Sequence, residues 1–183
     1  MPRLPNMTSR EDVPEAARAA FDAVAGNRQG TVSGPYGVLL HSPELAVAGA
    51  ALSNYTRWHS HLTPAQREIA ILTTARHFDA AVMWAGHVRL GREAGVREEA
   101  IEAIAHRREA SALAPEEAEI VRYVRELWER NRVAEPTYRA LRARLGDRGI
   151  VDLTGLVGYY AFVAATLNAF EIDPPADAPR LPG

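Results

Sequence analysis

The sequence predicts an all-α protein built from about eight helices. Three observations support this fold class. Apolar segments repeatedly begin with a proline that is preceded by a capping residue or followed by acidic residues, which is how helices start. Within these segments the apolar positions recur every three to four residues, as expected of amphipathic helices. No segment shows the sustained alternation that is typical of strands.

The predicted helices follow one another with short connections. In chain order they cover 12–26, 42–58, 63–78, 79–94, 98–106, 115–131, 136–146 and 151–170. The glycine-rich stretch 27–38 is predicted to be a loop, and Asp79 is expected to cap the helix that follows it. The segment 153–170 is uncharged and long enough to span a membrane, but its glycine, threonine, tyrosine and asparagine residues favour a buried helix of a soluble protein.

Composition narrows the class of protein. The chain has 183 residues, of which 47% are hydrophobic, and this predicts a single domain over 1–183 with an extended N-terminal segment and a proline-rich C-terminal tail. The net charge of −2 argues against a nucleic-acid partner. The N-terminus lacks an apolar leader, so a cytoplasmic protein is expected. The absence of cysteine excludes disulfides, thiol nucleophiles and cysteine-ligated metals in this chain.

Two ionisable residues fall on the apolar faces of consecutive predicted helices. Glu68 lies eleven residues before Asp79, and His87 lies eight residues after it. An antiparallel helical hairpin centred on Asp79 would therefore bring the two side chains to similar heights. A buried carboxylate needs a partner, and an imidazole supplies one. The pair is compatible with two roles: a structural contact between helices, or an acid/base group whose histidine is oriented by the carboxylate.

The same region resembles a known family. The stretch "LTPAQREIAILTTARHFDAAVMWAGHVRLGREAGVREEAIEAI" carries R-E-x-x-I-L on one helix and W-x-x-H on the next. It is similar to the core hairpin of the carboxymuconolactone decarboxylase and alkylhydroperoxidase D-like (AhpD-like) superfamily. The flanking stretches "GPYGVLLHSPELA" and "LVGYYAFVAATLNAFEI" extend the resemblance over most of 34–170. The resemblance implies an AhpD-like helical bundle.

The resemblance also separates possible chemistries. In redox members of the superfamily, a glutamate, two cysteines and a histidine form a proton relay. Glu68 and His87 match the glutamate and the histidine, whereas Ala80 and Met83 stand at the cysteine positions. Thiol peroxidase chemistry is therefore excluded for this chain. Many non-thiol relatives read Y-E-W-x-x-H, but this chain has Val82 and Met83 in place of the tyrosine and glutamate, which predicts a less polar pocket.

These observations lead to a functional prediction. The chain is expected to be a carboxy-lyase-like enzyme without cofactor or metal, acting on a small organic acid or lactone through His87 and Glu68. The residues predicted to bind substrate are Trp84, Met83, Tyr160, Asn168, Tyr36 and His41. The histidines of "WHSH" (58–61) have no carboxylate nearby in sequence and are not predicted to bind metal.

Two alternatives remain open at this point. The same residues also fit a non-catalytic small-molecule binder or structural oligomer, and family association alone suggests an antioxidant accessory protein. A homo-oligomer is expected because the apolar helix 153–170 exceeds what one small domain covers, and the resemblance implies a trimer or hexamer. No membrane partner is expected.

Overall fold

The computed structural model describes residues 2–182 and is helical throughout its regular secondary structure in that range, so the all-α prediction of about eight helices is confirmed. The helices are α1 (Arg18–Asn27), α2 (Tyr36–Leu39), α3 (Pro43–Trp58), α4 (Pro64–His77), α5 (Ala81–Glu93), α6 (Glu98–Ala105), α7 (Pro115–Arg130) and α8 (Glu135–Ala169). Short 3₁₀ turns lie at Arg10–Asp12, Glu15–Ala17 and Ala110–Ala112.

The chain divides into two compact units. The first comprises Met1–Ser60 and Ala165–Asp173, and the second comprises His61–Ala164 and Pro174–Gly183. Each unit has its own packed helices. The predicted single domain over 1–183 stays a prediction.

The first unit is built on the packing of α1 against α3, with α2 also contacting α3. Its N-terminal segment is held by backbone hydrogen bonds: Arg3 N–H donates to the carbonyl of Phe170 at 2.9 Å, and Met7 N–H donates to that of Gly37 at 3.0 Å. A Cβ atom on Gly37 would lie 1.9 Å from Oδ1 of Asn6. Glycine is therefore required where this segment crosses α2.

The second unit is organised around α4, which packs against α5, α6 and α7. Its buried face carries Ile69, Leu72 and Ala75. The hydroxyls of Thr73 and Thr74 donate to the carbonyls four residues earlier, so these two polar side chains are satisfied inside the helix. The central position of α4 places its residues between several helices and away from solvent.

The longest helix contains a break where the sequence predicts one. Gly146 adopts φ 71° and ψ 175° inside Glu135–Ala169, which separates two helical segments. The second segment follows Gly146 at once, whereas the sequence predicts a gap until residue 151. By length and composition α8 could cross a membrane, but 61% of its most apolar window is buried inside the protein, as in a core helix.

Two local predictions were wrong. Asp79 does not cap α5: it adopts φ 47°, and Ala80 occupies the N-cap position. The Asp79 carboxylate accepts hydrogen bonds from Arg76 and Arg107 instead, and these cations outcompete the helix terminus for it. The predicted loop 27–38 also ends early, since Tyr36 already begins the short helix α2.

Candidate active site

The start of α4 fixes where Glu68 lies along the helix. Thr63 accepts a hydrogen bond from the backbone of Gln66 at 3.3 Å, and the Gln66 side chain accepts one from the backbone of Thr63 at 2.9 Å. Pro64 occupies the first helical turn. This capping box makes α4 begin at Pro64 and places Glu68 one turn inside the helix, on the buried face.

Glu68 meets His87 across the hairpin of α4 and α5. The Nδ1 atom of His87 lies 2.6 Å from Oε2 of Glu68, a short hydrogen bond between two side chains nineteen residues apart. Glu68 is 5% exposed and His87 9% exposed. The spacing of these residues about Asp79 predicted such proximity, and the contact is present in the structure.

The contact has a chemical consequence for the imidazole. An ionised carboxylate only accepts hydrogen bonds, so Nδ1 of His87 carries the hydrogen when Glu68 is ionised. In the neutral ring Nε2 then has its lone pair available as a base. An ionised Glu68 thus orients the ring and selects this tautomer.

Aromatic and sulfur-containing side chains lie near this pair. The ring of Tyr160 stands edge-on to the imidazole of His87, with centroids 5.1 Å apart and planes at 90°. Tyr159 in turn packs edge-on against Tyr160 at 5.0 Å. Met83 and Trp84 are buried on α5, one turn before His87 and on the same face of the helix. These three side chains place aromatic and apolar surface beside His87, and the less polar pocket stays a prediction.

A glycine allows α4 and α5 to approach closely beside the pair. A Cβ atom on Gly91 would lie 3.3 Å from Cδ1 of Leu72 and 3.8 Å from Cβ of Glu68. Gly91 is one turn beyond His87 on the same face of α5. The missing side chain lets α5 lie close to Glu68, and this closeness supports the short distance between the carboxylate and the imidazole.

Three of the predicted substrate-binding residues lie in the first unit. Tyr36 is buried, and the guanidinium carbon of Arg28 lies over its ring, 4.3 Å from the ring centroid. His41 is exposed, and its Nε2 lies 3.0 Å from the carbonyl oxygen of Pro5. Asn168 is exposed near the end of α8. Their membership of the same site as His87 stays a prediction.

Sequence reasoning missed a second histidine–carboxylate pair in the second unit. Oδ2 of Asp152 accepts a hydrogen bond from the backbone N–H of His61 at 2.8 Å and lies 3.6 Å from Nδ1 of the same residue. No sequence pattern predicts this contact, because the two residues are 91 positions apart. Within residues 2–182, no group of three or more histidine, cysteine, aspartate or glutamate side chains is arranged to hold a metal ion.

Part of the chain matches a known protein family. Residues 43–126, a little under half of the chain, match the Carboxymuconolactone decarboxylase family. The matched segment contains both Glu68 and His87. No protein with a curated description matches the chain.

A solved structure shares the fold. It is a crystal structure of a protein of unknown function from Agrobacterium tumefaciens, described there as a suggested antioxidant defence protein AhpD. The two chains are 21% identical, the match covers 76% of this chain and 97% of the other, and the TM-score is 0.67. At this identity the likeness shows the fold alone, and it confirms the predicted AhpD-like helical bundle.

Proposed function

We propose that this protein is a cofactor-independent acid/base enzyme of the carboxymuconolactone decarboxylase family, acting on a small organic acid or lactone. The single observation that carries the proposal is the 2.6 Å contact between Nδ1 of His87 and Oε2 of Glu68. A carboxylate that holds one imidazole nitrogen leaves the other nitrogen for a substrate, and this is the arrangement that general acid/base catalysis needs.

A decarboxylation would use the pair in two protonation states. The bond between the substrate carbon and its carboxylate breaks, CO₂ leaves, and the electron pair passes into an adjacent carbonyl to form an enolate. The protonated imidazole of His87 donates its Nε2 proton to the carbanionic carbon, which yields the neutral product. The neutral ring then regains a proton from solvent, while Glu68 holds Nδ1 throughout.

The apolar surroundings fit a substrate that loses charge. Transfer from water into an apolar pocket destabilises a carboxylate more than it destabilises the delocalised enolate that CO₂ loss produces. An apolar pocket therefore promotes this step. Met83, Trp84 and Tyr160 are buried and supply such surfaces in the second unit. We propose that these three side chains contact the substrate.

A non-catalytic binder of the same fold is the alternative. The observation that favours a binder is the burial of the pair, since the side chain of His87 is only 11% exposed and that of Glu68 only 6%. Antioxidant activity of the thiol type is not an alternative for this chain, which contains no cysteine. The two remaining functions differ in whether a bound acid is turned over.

The experiment is a double-mutant cycle after a ligand screen. Small β-keto acids and lactones are first screened for binding by calorimetry, and the ligands that bind are then assayed for turnover. His87→Gln and Glu68→Gln are each expected to lower turnover about 10²–10⁴-fold, and the double variant no further, because the two residues act as one unit. Binding without turnover in the unmodified protein favours the binder; unchanged turnover in a folded His87→Gln variant contradicts the enzyme.

We also propose a homo-oligomer that uses one face of α8. Val151 is 67% exposed, and Gly155 and Gly158 are exposed with no atom within 4 Å of an added Cβ. An exposed apolar stripe with two glycines permits close approach of another helix. Light scattering that gives a trimer or hexamer supports this assembly, and a stable monomer at micromolar concentration contradicts it.

A further inference from the structure

Arg28 ends α1 in the first unit, and its part-buried guanidinium contacts both α2 and α3. Its Nη1 atom donates to Oγ of Ser53 on α3 at 3.3 Å. Its guanidinium carbon lies 4.3 Å from the ring centroid of Tyr36, the first residue of α2. Tyr36 and Ser53 are both buried. The buried ring and the buried hydroxyl therefore hold the cation in one place.

The charge of this guanidinium has no counterion within the protein. Among residues 2–182, Arg28 forms no ion pair, and its buried Nε atom has no hydrogen-bond acceptor. A buried donor without an acceptor costs free energy on folding, and so does a part-buried cation without a carboxylate beside it. Arg28 therefore presents donors that the fold itself does not use.

The unpaired edge of Arg28 is the edge that other arginines of this protein use to bind carboxylates. Arg97 donates to Glu117 from Nε at 3.1 Å and from Nη2 at 2.6 Å. Arg144 donates to Glu119 from the same two atoms, at 2.7 and 3.1 Å. Two parallel N–H groups thus meet the two oxygens of one planar acid. In Arg28 the Nη1 atom is already engaged, so Nε and Nη2 remain for an acceptor of that shape.

We propose that Arg28 anchors a binding site for a small carboxylic acid, with Nε and Nη2 donating to the two carboxylate oxygens. Tyr36 and Ser53 already fix the guanidinium, so little side-chain freedom is lost when the acid binds. Because Nε is buried, the acid must carry its carboxylate on a slender group. The site lies in the first unit and does not depend on the acid/base function proposed for His87.

Inorganic phosphate fits this edge less well. Two donors in one plane match the two oxygens of a carboxylate, whereas a tetrahedral phosphate is usually held by several cations or backbone N–H groups. Arg28 also stands at the C-terminal end of α1, where the helix dipole is negative. This end of a helix disfavours a doubly charged anion more than a singly charged one, so a monocarboxylate is the preferred ligand.

Nuclear magnetic resonance of the arginine Nε–H groups on the ¹⁵N-labelled full chain tests the site. Propionate is titrated at constant ionic strength, and the Arg28 signal is expected to shift with a saturable dissociation constant of about 10 mM or lower. Arg28→Lys keeps the charge but lacks the two parallel donors, so it should weaken binding at least about 10-fold. The backbone amide of Ser53 reports binding in both proteins, and circular dichroism checks that the variant stays folded.

Arg18 provides the matched control. It lies on the same helix, and its buried Nε atom also lacks an acceptor, but no ring or hydroxyl among residues 2–182 holds its guanidinium. Arg18→Gln is therefore expected to change the dissociation constant of propionate by less than about two-fold. A loss equal to that of Arg28→Lys would show a general dependence on positive charge and would overturn the proposal.

Three further outcomes decide the proposal. An Arg28 signal that shows no saturable shift up to about 100 mM propionate overturns the site. An Arg28→Lys variant that binds propionate as the unmodified chain does overturns it as well. Inorganic phosphate that binds more tightly than propionate overturns the assignment to a carboxylic acid. None of these readouts requires turnover at His87, so a failure here is distinct from a failure of the proposed enzyme.

Discussion

The second unit contains two pairs of a histidine and a buried carboxylate, and they are built differently. In the first pair Glu68 contacts the imidazole of His87 directly, at 2.6 Å, and both side chains are buried. In the second pair Asp152 accepts from the backbone N–H of His61 at 2.8 Å, while the imidazole lies 3.6 Å away and its side chain is 52% exposed.

Under the proposed function, this difference separates a chemical role from a structural one. Asp152 binds the main chain at the connection between α3 and α4, so any residue at position 61 except proline can supply its donor. Glu68 binds a ring nitrogen, so its partner must be a histidine for the contact to have acid/base properties. The same residue types thus form the proposed site in one place and anchor a loop in the other.

The largest expected contrast between the pairs is in turnover. His87→Gln should lower the rate about 10²–10⁴-fold because it removes the proton donor and acceptor. His61→Gln should leave the rate within about two-fold, since its side chain is half exposed and its backbone N–H remains. Steady-state kinetics on one substrate measures both, and equal losses in the two variants would contradict the distinction.

The next contrast is in stability. Asp152→Ala removes the buried acceptor of the His61 N–H and should lower the free energy of unfolding by about 1–3 kcal/mol. Asp152→Asn keeps a carbonyl oxygen as acceptor and should lose less. Urea unfolding monitored by circular dichroism gives the values. If His61→Gln destabilises the protein as much as Asp152→Ala does, the imidazole contributes to this contact and the distinction fails.

A third prediction concerns the close approach of α4 and α5 beside the first pair. Gly86 and Gly91 lie on the same helix, but an added Cβ meets open space at Gly86 and Leu72 at Gly91. Gly86→Ala should therefore stabilise the protein by about 0.5–1 kcal/mol through helix propensity alone. Gly91→Ala should fall short of that gain by about 1 kcal/mol or more, because Leu72 must shift. Equal gains in thermal or urea unfolding would show that the approach at Gly91 is not tight.

The smallest expected effect is a change in pH dependence at a third histidine. Burial holds the pKa of His77 below its ordinary value of 6.5, beside the rings of Phe78 and Trp128. As the pH falls, the unfolded chain therefore binds this proton before the folded chain does. The contribution of neutral His77 to stability is complete above about pH 6.5 and is lost as the pH falls through the lower pKa of the folded state. His77→Gln should show a smaller loss of stability between pH 7.5 and 5 in urea unfolding, and an unchanged loss would contradict this assignment.

The sequence predicted the helices and the first pair because both depend on local rules. Proline and capping residues mark the start of α3, α4 and α7, and a hairpin of known length fixes which residues face each other across it. Glu68 and His87 lie at comparable distances from the turn, so their contact followed from counting. The edge-on contact of Tyr160 with His87 could not be predicted in this way. It depends on how α8 packs, and no local sequence pattern determines that packing.

Other features depend on competition between distant groups. Asp79 follows the usual pattern of a helix cap, but Arg107 from the end of α6 and Arg76 take its carboxylate. Apolar content likewise does not predict which face of α3 is buried. Both faces of that helix are apolar, and only the packing against α1 decides between them. The pairing of His61 with Asp152 joins residues too far apart in sequence for any spacing rule.

The most direct test of the account is the protonation pattern of the His87 ring. Nuclear magnetic resonance on protein labelled with ¹⁵N-histidine, at a pH where the ring is neutral, reports which nitrogen carries the hydrogen. The account predicts hydrogen on Nδ1, a bare Nε2, and loss of this preference in Glu68→Gln, since the carboxylate selects the tautomer. A neutral ring with hydrogen on Nε2 would mean that Nδ1 accepts from a protonated Glu68, and Nε2 would then have no lone pair to regain the proton that the proposed reaction donates.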